Sequence, residues 1–572
     1  MLESFAGLVS VVDGIVWGPY VLIPLLLAVG VILTIGLRFM PWRELPHAFA
    51  TMWRGRHHHP GHEGELTPFR ALMTSLAATI GTGNIVGVAT AILMGGPGAV
   101  FWMWMTALVG MATKFCEATL AVKFREVTPD GKFVGGPMYY IKNGLGPNWK
   151  WLAVLFAIFG TVASFGIGNM TQANSVAANV ISLGSYYDLS LNPWLIAIGL
   201  LVLSGVVLVG GVKRIGMVAG TLVPVMALIY FLGGLVILVA NIEKVPGAIR
   251  LIFESALSGH AAVGGFTGAA VAAAIRFGVA RGLFSNEAGM GSAPIAHATA
   301  MVDNPVKQGL LGMLDPFIDT IIICSISALV ILCSGEWTTG LNFQLGAENA
   351  NIVPVTVDLR GEAAPFDIEA PEGGGLIVAG KKRITAEHLQ KMEDAGIVSL
   401  TVPDEFIFGR LIVREIVKDG ETLAEMRSEI NKDLIEKLRE AGVSELSTAH
   451  GAGTLTARAF HNTMGIAGSW LVTIGLVLFA FSTILGWCVY GERCVIYLLG
   501  HKAALPYRIA FTLVVPVGAL AELSLVWDLA DLFNGLMALP NLIALLLLSP
   551  IVFKLAREYF SQPKSERSGK SE

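Results

Sequence analysis

Residues 78–87 read Ala78-Thr79-Ile80-Gly81-Thr82-Gly83-Asn84-Ile85-Val86-Gly87. They sit near the middle of an apolar run, about residues 72–94, that is long enough to cross a bilayer. Gly81, Gly83 and Gly87 lower helix stability in an element that should otherwise be continuous. Lipid offers no hydrogen-bond partners, so an unwound turn at that depth persists only when buried in protein or facing a wet cavity. Such a turn frees backbone N–H and C=O groups, aimed by half-helix ends, for a carboxylate or a cation. The alternative is close packing of two helices across small residues. Glycine spacing does not separate the two. Thr79, Thr82 and Asn84 favour a site, because they add side-chain ligands that close packing does not need.

The surrounding chain has 572 residues, 54% of them hydrophobic and 14% charged, with a mean hydropathy of +0.66. That is too apolar for a soluble globule of this length, and recurrent apolar runs make it an all-α polytopic membrane protein. The net charge of −4 says little about partners. Cys116, Cys324, Cys333, Cys488 and Cys494 all fall in or beside apolar segments without metal or disulfide spacing, and read as small packing residues. The start, Met1-Leu2-Glu3-Ser4, lacks a basic region, so no signal peptide is expected.

About eleven spans are expected, at roughly 19–38, 72–94, 98–122, 152–182, 193–212, 217–240, 267–301, 308–334, 466–490, 505–525 and 533–555. Positive charge orients them. Arg38, Arg43, Arg54 and Arg56 follow the first span and place that loop in the cytoplasm. Lys213 and Arg214, then Arg493, His501, Lys502 and Arg508, then the tail with Lys554, Arg557, Lys564, Arg567 and Lys570 fall on the same side. The amino terminus then faces outward and the carboxy terminus is cytoplasmic. His57, His58, His59 and His62 read as a solvated loop rather than a metal site. Pro137-Met138-Tyr139-Tyr140-Ile141 reads as a short interfacial helix.

The seventh span is interrupted at Arg281-Gly282-Leu283-Phe284-Ser285-Asn286-Glu287-Ala288-Gly289-Met290-Gly291-Ser292-Ala293-Pro294. It is a second broken helix, five spans after the first. Two interrupted helices at matching places point to an inverted-repeat transporter with its site at the midplane. The expected organisation is an N-terminal segment 1–65, a first five-helix repeat 66–241, a second repeat from 262–335 and 456–556, an insertion 336–455 and a tail 557–572.

The insertion is polar, with short strands such as Leu376–Ala379 and Ile397–Val402 and helices near Ala386–Ala395 and Ile430–Ala441. It reads as a small α+β domain outside the cell. Leu359-Arg-Gly-Glu-Ala-Ala-Pro-Phe-Asp-Ile-Glu-Ala, Lys382-Arg-Ile-Thr-Ala-Glu-His-Leu and Val402-Pro-Asp-Glu-Phe-Ile-Phe-Gly-Arg resemble a segment of the bacterial RNA polymerase β subunit. An outward loop has no access to template DNA, so no nucleic acid partner is expected. A lid on the vestibule, a partner-binding module and a silent insertion stay open.

Gly95-Gly96-Pro97-Gly98-Ala99-Val100-Phe101-Trp102-Met103-Trp104-Met105-Thr106-Ala107-Leu108-Val109-Gly110 resembles the diagnostic motif of the alanine/glycine:cation symporter family, the sodium:alanine symporters. Residues 81–87 and 281–294 resemble that family as well. The resemblance implies a LeuT-type five-plus-five inverted repeat preceded by one extra helix. It implies Na⁺-driven import of small neutral amino acids, chiefly alanine and also glycine, across the plasma membrane, the inner membrane of a bacterium. Na⁺ is the coupling ion, and no organic cofactor is implied.

A zwitterion needs N–H donors for its carboxylate, which Thr82, Gly83 and Asn84 can present at a half-helix start. Carbonyls near Thr79 and in the second break can accept its ammonium. A small apolar wall excludes larger side chains but separates alanine from glycine poorly, since one methylene is worth about 1–3 kcal/mol. By resemblance Gln172 hydrogen-bonds the substrate and Thr483 and Trp487, four apart on one helix face, line the pocket; an interhelical hydrogen bond and an interfacial tryptophan are the alternatives. Phe284 is a candidate lid or wall. Similarity to the fold's shared sodium site implies the carbonyls of Ala77 and Ile80 facing the hydroxyls of Ser482 and Thr483, against back-bonding of both hydroxyls to their own helix. Lys114, Glu117, Glu287, Asp315 and Asp319 should face protein or water, with Glu287 paired to Arg281 or Arg276. H⁺ coupling is the close variant. A receptor does not need two broken helices, and no HExxH or GxSxG motif supports an enzyme.

Overall fold

The computed structural model describes residues 9–563, apart from 10–11, 19–20, 58–60, 187–190, 258–266, 521–523 and scattered positions between 339 and 429. Seven helices among the described residues are long and apolar enough to cross a membrane: Gly98–Lys123, Pro147–Ile181, Gly211–Ala240, Pro305–Ser334, Ile466–Leu499, His501–Leu520 and Leu529–Ser561. Shorter apolar helices span Leu22–Gly36, Val86–Gly95 and Pro193–Leu208. The outer helices leave rows of large apolar side chains bare. Met217, Val225, Leu228, Leu232 and Val236 on the helix Gly211–Ala240 are examples. Apolar exposure on that scale suits lipid rather than water, and the chain is a mostly helical, multi-pass membrane protein.

The first broken helix starts at α1 (Pro68–Thr79). The Thr67 hydroxyl caps it by accepting from Arg70 N at 3.3 Å, and Pro68 occupies its first turn. The helix stops at Thr79 because Ile80 turns to ψ 93° and Gly81 to an extended φ of −139°. A single 3₁₀ turn, Thr82–Asn84, leads into α2 (Val86–Gly95). The second broken helix begins with α3 (Thr267–Asn286). Glu287, Gly289 and Gly291 then take φ of 52°, 90° and 83°, all left-handed, before α4 (Ala293–His297) with Pro294 in its first turn. Glycine adopts such φ freely; a glutamate does so only where its surroundings hold it.

The two broken helices lie side by side and antiparallel, α2 against α3 and α1 against α4. Their closeness depends on missing side chains. A Cβ at Gly95 would meet the Ala273 carbonyl at 3.1 Å, and one at Gly83 would stand 3.4 Å from Ser285 Cα. At the α1–α4 end, Leu66 N donates to Thr299 O at 3.1 Å and Met301 N to Leu66 O at 2.8 Å, a parallel bridge that ties the start of one rod to the end of the other. Both rods are therefore interrupted at the same depth, with the interruptions facing each other.

Between Ser334 and Ala452 the chain leaves the helical body and builds a separate α+β unit. Five strands, β1 (Gly340–Gln344), β2 (Asn351–Pro354), β3 (Ser399–Val402), β4 (Leu411–Ile412) and β5 (Glu445–Ala449), form an antiparallel sheet in the order β3-β2-β1-β5-β4. Alternation along β1 and β5 turns Leu341, Phe343 and Leu446 into a core of its own. Helices Ala386–Asp394 and Lys432–Glu440, capped by Thr385 and Asn431, cover it. The helix Ala452–Met464 returns the chain to the body, where Leu455 and Phe460 join the main core.

Two sequence expectations change. The segment Pro137–Ile141 is not interfacial: Met138, Tyr140 and Ile141 are buried, and the Tyr140 hydroxyl donates to Asn541. Arg493 and Arg508, read as loop charges, lie inside helices. They are buried there in a chain of ion pairs, Arg493 with Glu65 at 2.7 Å and Arg508 with Glu492 at 2.8 Å. Burial of two guanidiniums requires such partners. His58 and His59, and the tail charges from Lys564 onward, lie outside the described residues.

Candidate functional site

The two breaks enclose a buried cavity of about 20 Å³. Thr79, Thr82, Gly83, Gln172, Phe284, Thr483 and Trp487 line it, together with Ala78, Gly81, Ile167, Glu287 and Asn534. That volume holds about one water, far short of an amino acid, so the cavity is closed around its polar groups and must widen to take a ligand.

Each wall is positioned for a local reason. In the first break, Gly81 N–H does not continue the helix onto the Ala77 carbonyl; it donates to Asn84 Oδ1 at 2.8 Å. The Ala77 carbonyl therefore loses its helical partner. Asn84 does not line the cavity, contrary to expectation. Its own N–H closes the 3₁₀ turn on Gly81 O at 3.3 Å, and its amide donates to Asp319 Oδ1 at 2.7 Å and Asp319 O at 3.2 Å. It is the clamp of the break. Thr82 and Gly83 line the cavity at the start of the next half-helix, where partial positive charge gathers.

Asp319 holds the second break as well. Ser285 Oγ donates to Asp319 Oδ2 at 2.8 Å, and Thr320 Oγ1 donates to the same oxygen at 2.8 Å. Asp319 sits in a π-helical stretch, Phe317–Cys324, and the widened turn aims its carboxylate between the two rods. Sequence reasoning had marked Asp319 only as an ionisable residue needing company. Beyond it, Ala288 N donates to Asn286 Oδ1 at 3.0 Å and Gly291 N to Glu117 Oε1 at 3.1 Å, so side chains replace the helix bonds lost at 287–291.

Glu287 corrects a second expectation. It pairs with neither Arg281 nor Arg276. Its carboxylate accepts from Ser292 Oγ and from Trp487 Nε1, the latter at 3.1 Å, and forms no ion pair among the described residues. Trp487 is 2% exposed, which rules out an interfacial role. Gln172 follows a second π turn, Gly166–Met170. Its Nε2 donates to Ile167 O at 3.1 Å, while its buried Oε1 has no partner among the described residues. Asn534 Oδ1 is likewise buried and unpartnered. Two unpaired acceptors and a carboxylate on one side, with half-helix N–H groups on the other, suit a molecule carrying both an ammonium and a carboxylate.

Ala77 and Ile80 lie just ahead of the first break, and the helix Ile466–Leu499 (α5) packs on them closely enough that a Cβ at Gly486 would meet Ala78 Cα at 2.9 Å. On α5, Ser482 Oγ and Thr483 Oγ1 both donate to Phe479 O, at 2.8 and 3.0 Å. This is the back-bonding alternative, yet each hydroxyl keeps its lone pairs, and a Cβ at Gly81 would stand 2.7 Å from Thr483 Oγ1. Carbonyls freed from a helix beside two hydroxyl oxygens form a donor set compatible with a hard monovalent cation. Among these four residues only Thr483 also borders the cavity.

Comparison with known proteins agrees with this geometry. The model of the sodium:alanine symporter family matches residues 2–355 and 437–572, passing over most of the inserted unit. The sodium/alanine symporter AgcS of Methanococcus maripaludis is 40% identical over 565 residues, covering 98% of this chain and 99% of that protein. An uncharacterised transporter of Haemophilus influenzae is 39% identical over 562 residues, 98% of this chain and 97% of its own. The probable sodium/glutamine symporter GlnT of Bacillus subtilis is 32% identical over 566 residues, 99% and 93%. With two antiparallel broken helices meeting at one polar cavity and a family match on both sides of the insertion, the chain belongs to the sodium:alanine symporter family, a family of transporters and not of enzymes.

Proposed function

We propose that this protein is a Na⁺-coupled symporter that imports small neutral amino acids, alanine and glycine, by alternating access. The carrying observation is the pair of interrupted helices whose breaks face each other across a buried polar cavity. The substrate carboxylate meets the N–H groups of Thr82 and Gly83. Its ammonium meets Gln172 Oε1, Asn534 Oδ1 and the Glu287 carboxylate. Ile167, Phe284 and Trp487 form the wall that limits side-chain size. Na⁺ is held by the Ala77 and Ile80 carbonyls with the Ser482 and Thr483 hydroxyls. The relative AgcS, a sodium/alanine symporter, supports this reading, and GlnT, a probable sodium/glutamine symporter, is a relative named for a larger neutral amino acid.

In this reading eleven helices cross the bilayer as one leading helix and two five-helix repeats of LeuT type, 66–241 and 262–335 with 456–556. The inserted unit and the amino terminus face outward and the tail is cytoplasmic, in a plasma membrane. Coupling to H⁺ is the second reading, favoured by Glu287 and Asp319, two buried carboxylates with no cationic partner within ion-pair distance among the described residues. Uptake of labelled alanine into proteoliposomes separates them. Replacing external Na⁺ by choline at fixed pH abolishes accumulation if Na⁺ drives it; undiminished accumulation refutes Na⁺ coupling.

A further inference from the structure

A second and much larger cavity, about 630 Å³, lies on the side of the body that carries the inserted unit. Its floor is the inserted-unit side of the two broken helices, with Thr90 from α2 and Phe277 and Arg281 from α3. Its roof comes from the inserted unit, with Glu362 and Arg410, and His450 closes one wall. Phe284 stands on the helix that borders both cavities. Phe284 lines the central cavity three residues beyond Arg281 on the same helix, and a Cβ at Gly83 would meet its ring at 3.5 Å.

The charges around this cavity do not balance. Glu362 accepts from Arg410 Nη2 at 2.7 Å, from Arg458 Nη1 at 3.0 Å, and lies 3.2 Å from His450 Nδ1. Arg458 also bonds Glu336, through Nε at 2.8 Å. Burial, with Arg458 beside it, pushes the His450 imidazole down to about 4, so it is neutral at pH 7. Among the described residues, three guanidiniums therefore stand around it with two carboxylates. The surplus cation is Arg281, which makes no hydrogen bond or ion pair among the described residues and lies 5.6 Å from the Phe284 ring. The second open donor is Arg410 Nη1, on a side chain only 5% exposed. Partly desolvated guanidinium N–H groups left open in a cavity call for an anion of matching planar shape.

We propose that this cavity binds the carboxylate of a small amino acid, held by Arg281 from the helical body and Arg410 from the inserted unit. The inserted unit thereby completes a loading site that the helical body alone does not possess, on the helix that also borders the centre. The assignment of an amino acid rather than a free carboxylate rests on the transport reading above; the carboxylate chemistry does not.

Equilibrium binding of radiolabelled alanine to the purified full chain in nanodiscs, with Na⁺ present, tests both. At saturating alanine, wild type should bind two alanines per chain and Arg281→Gln one. Gln172→Ala should bind two, one of them weakened about tenfold, and the double variant only the weakened one. Label kept below that weakened affinity then reports the second site by itself in Gln172→Ala. Arg281→Lys, which keeps the charge, should keep the second alanine and shows that the loss in Arg281→Gln is not misfolding. In Gln172→Ala, unlabelled alanine and acetate should both displace the label and alaninamide should not. A single alanine per wild-type chain, an unchanged stoichiometry in Arg281→Gln, or displacement by alaninamide but not acetate overturns the site. Proteoliposome uptake that ignores Na⁺ while these stoichiometries hold would sink the Na⁺-coupling reading and leave the carboxylate site standing.

Discussion

Buried carboxylates are handled in two different ways in this molecule. At the meeting of the broken helices, Asp319 and Glu287 are held by neutral donors: an asparagine amide, hydroxyls and an indole N–H. At the junction with the inserted unit, Glu336 and Glu362 are held by guanidiniums. An ion pair neutralises a carboxylate and fixes two elements together. Neutral donors orient it while leaving its charge available. The first arrangement suits a place that must attract a cation, the second a place that must stay shut. The same physics explains why the junction ends with a spare positive charge and the centre with spare negative charge.

The largest expected effect is on the neutral half of this comparison. Asp319→Ala removes the group that clamps both breaks. Hydrogen bonds to a charged group are worth about 1.5–3 kcal/mol each, so losing two costs on the order of 100-fold in the assembled site. Alanine uptake should fall by at least that factor, and Asp319→Asn should recover part of it. Wild-type rates in Asp319→Ala would show that the clamp is not needed. The ionic half breaks next. Glu362→Gln leaves Arg410 and Arg458 without their shared partner, and breaking a buried pair costs about 3 kcal/mol. Amide hydrogen exchange in β1, β4 and β5 should quicken by about 100-fold, while exchange in Gly98–Lys123 stays as it was. Equal protection in both regions would mean that the junction does not hold the unit in place.

Gln172→Ala tests the centre more finely. Its Oε1 bonds nothing among the described residues, so the substrate should notice: about a tenfold rise in KM, equivalent to about 1.4 kcal/mol. A large drop in melting temperature instead would place Gln172 in structure rather than binding. The smallest effect is pH-dependent and belongs to the junction. His450 titrates near 4 when folded against about 6.5 unfolded. The unfolded unit then binds more protons between those values, so stability is full above pH 6.5 and declines as pH falls toward 4. Glu362 and Glu336, held below the ordinary carboxylate range by burial-opposing arginines, contribute fully above about 4.3 and add no slope there. Opening of the inserted unit should therefore rise about fourfold on going from high pH to pH 6, and His450→Gln should flatten that slope. A flat wild-type profile would remove His450 from the junction.

Much of the centre was legible in the chain. Gly81, Gly83, Gly289, Gly291 and Pro294 interrupt apolar runs and weaken a regular helix there, and Thr79, Thr82 and Asn84 beside the first group favour a break over close packing. What was not legible is the company each side chain keeps. Asn84 looked like a ligand because amides often are; only the approach of Asp319, 235 residues later, turns it inward as a clamp. Glu287 and Arg281 are six residues apart, and pairing them was reasonable. The left-handed turn at Glu287 instead directs its carboxylate to Trp487 while Arg281 points to the other cavity. Tyr139 and Tyr140 carried an interfacial signature and are core residues, since aromatic content does not say which surface covers it.

By itself the sequence determined that this chain lives in a bilayer, where its rods are weakest, and that residues 336–455 are foreign to the apolar pattern, because hydropathy, glycine and proline act through the nearest few residues. The tertiary structure alone decided that the two breaks meet, that Asp319 joins them, and that the inserted unit roofs a charged chamber above Phe284. Those are contacts between segments hundreds of residues apart, and only packing sets which distant side chain arrives to satisfy a buried polar group.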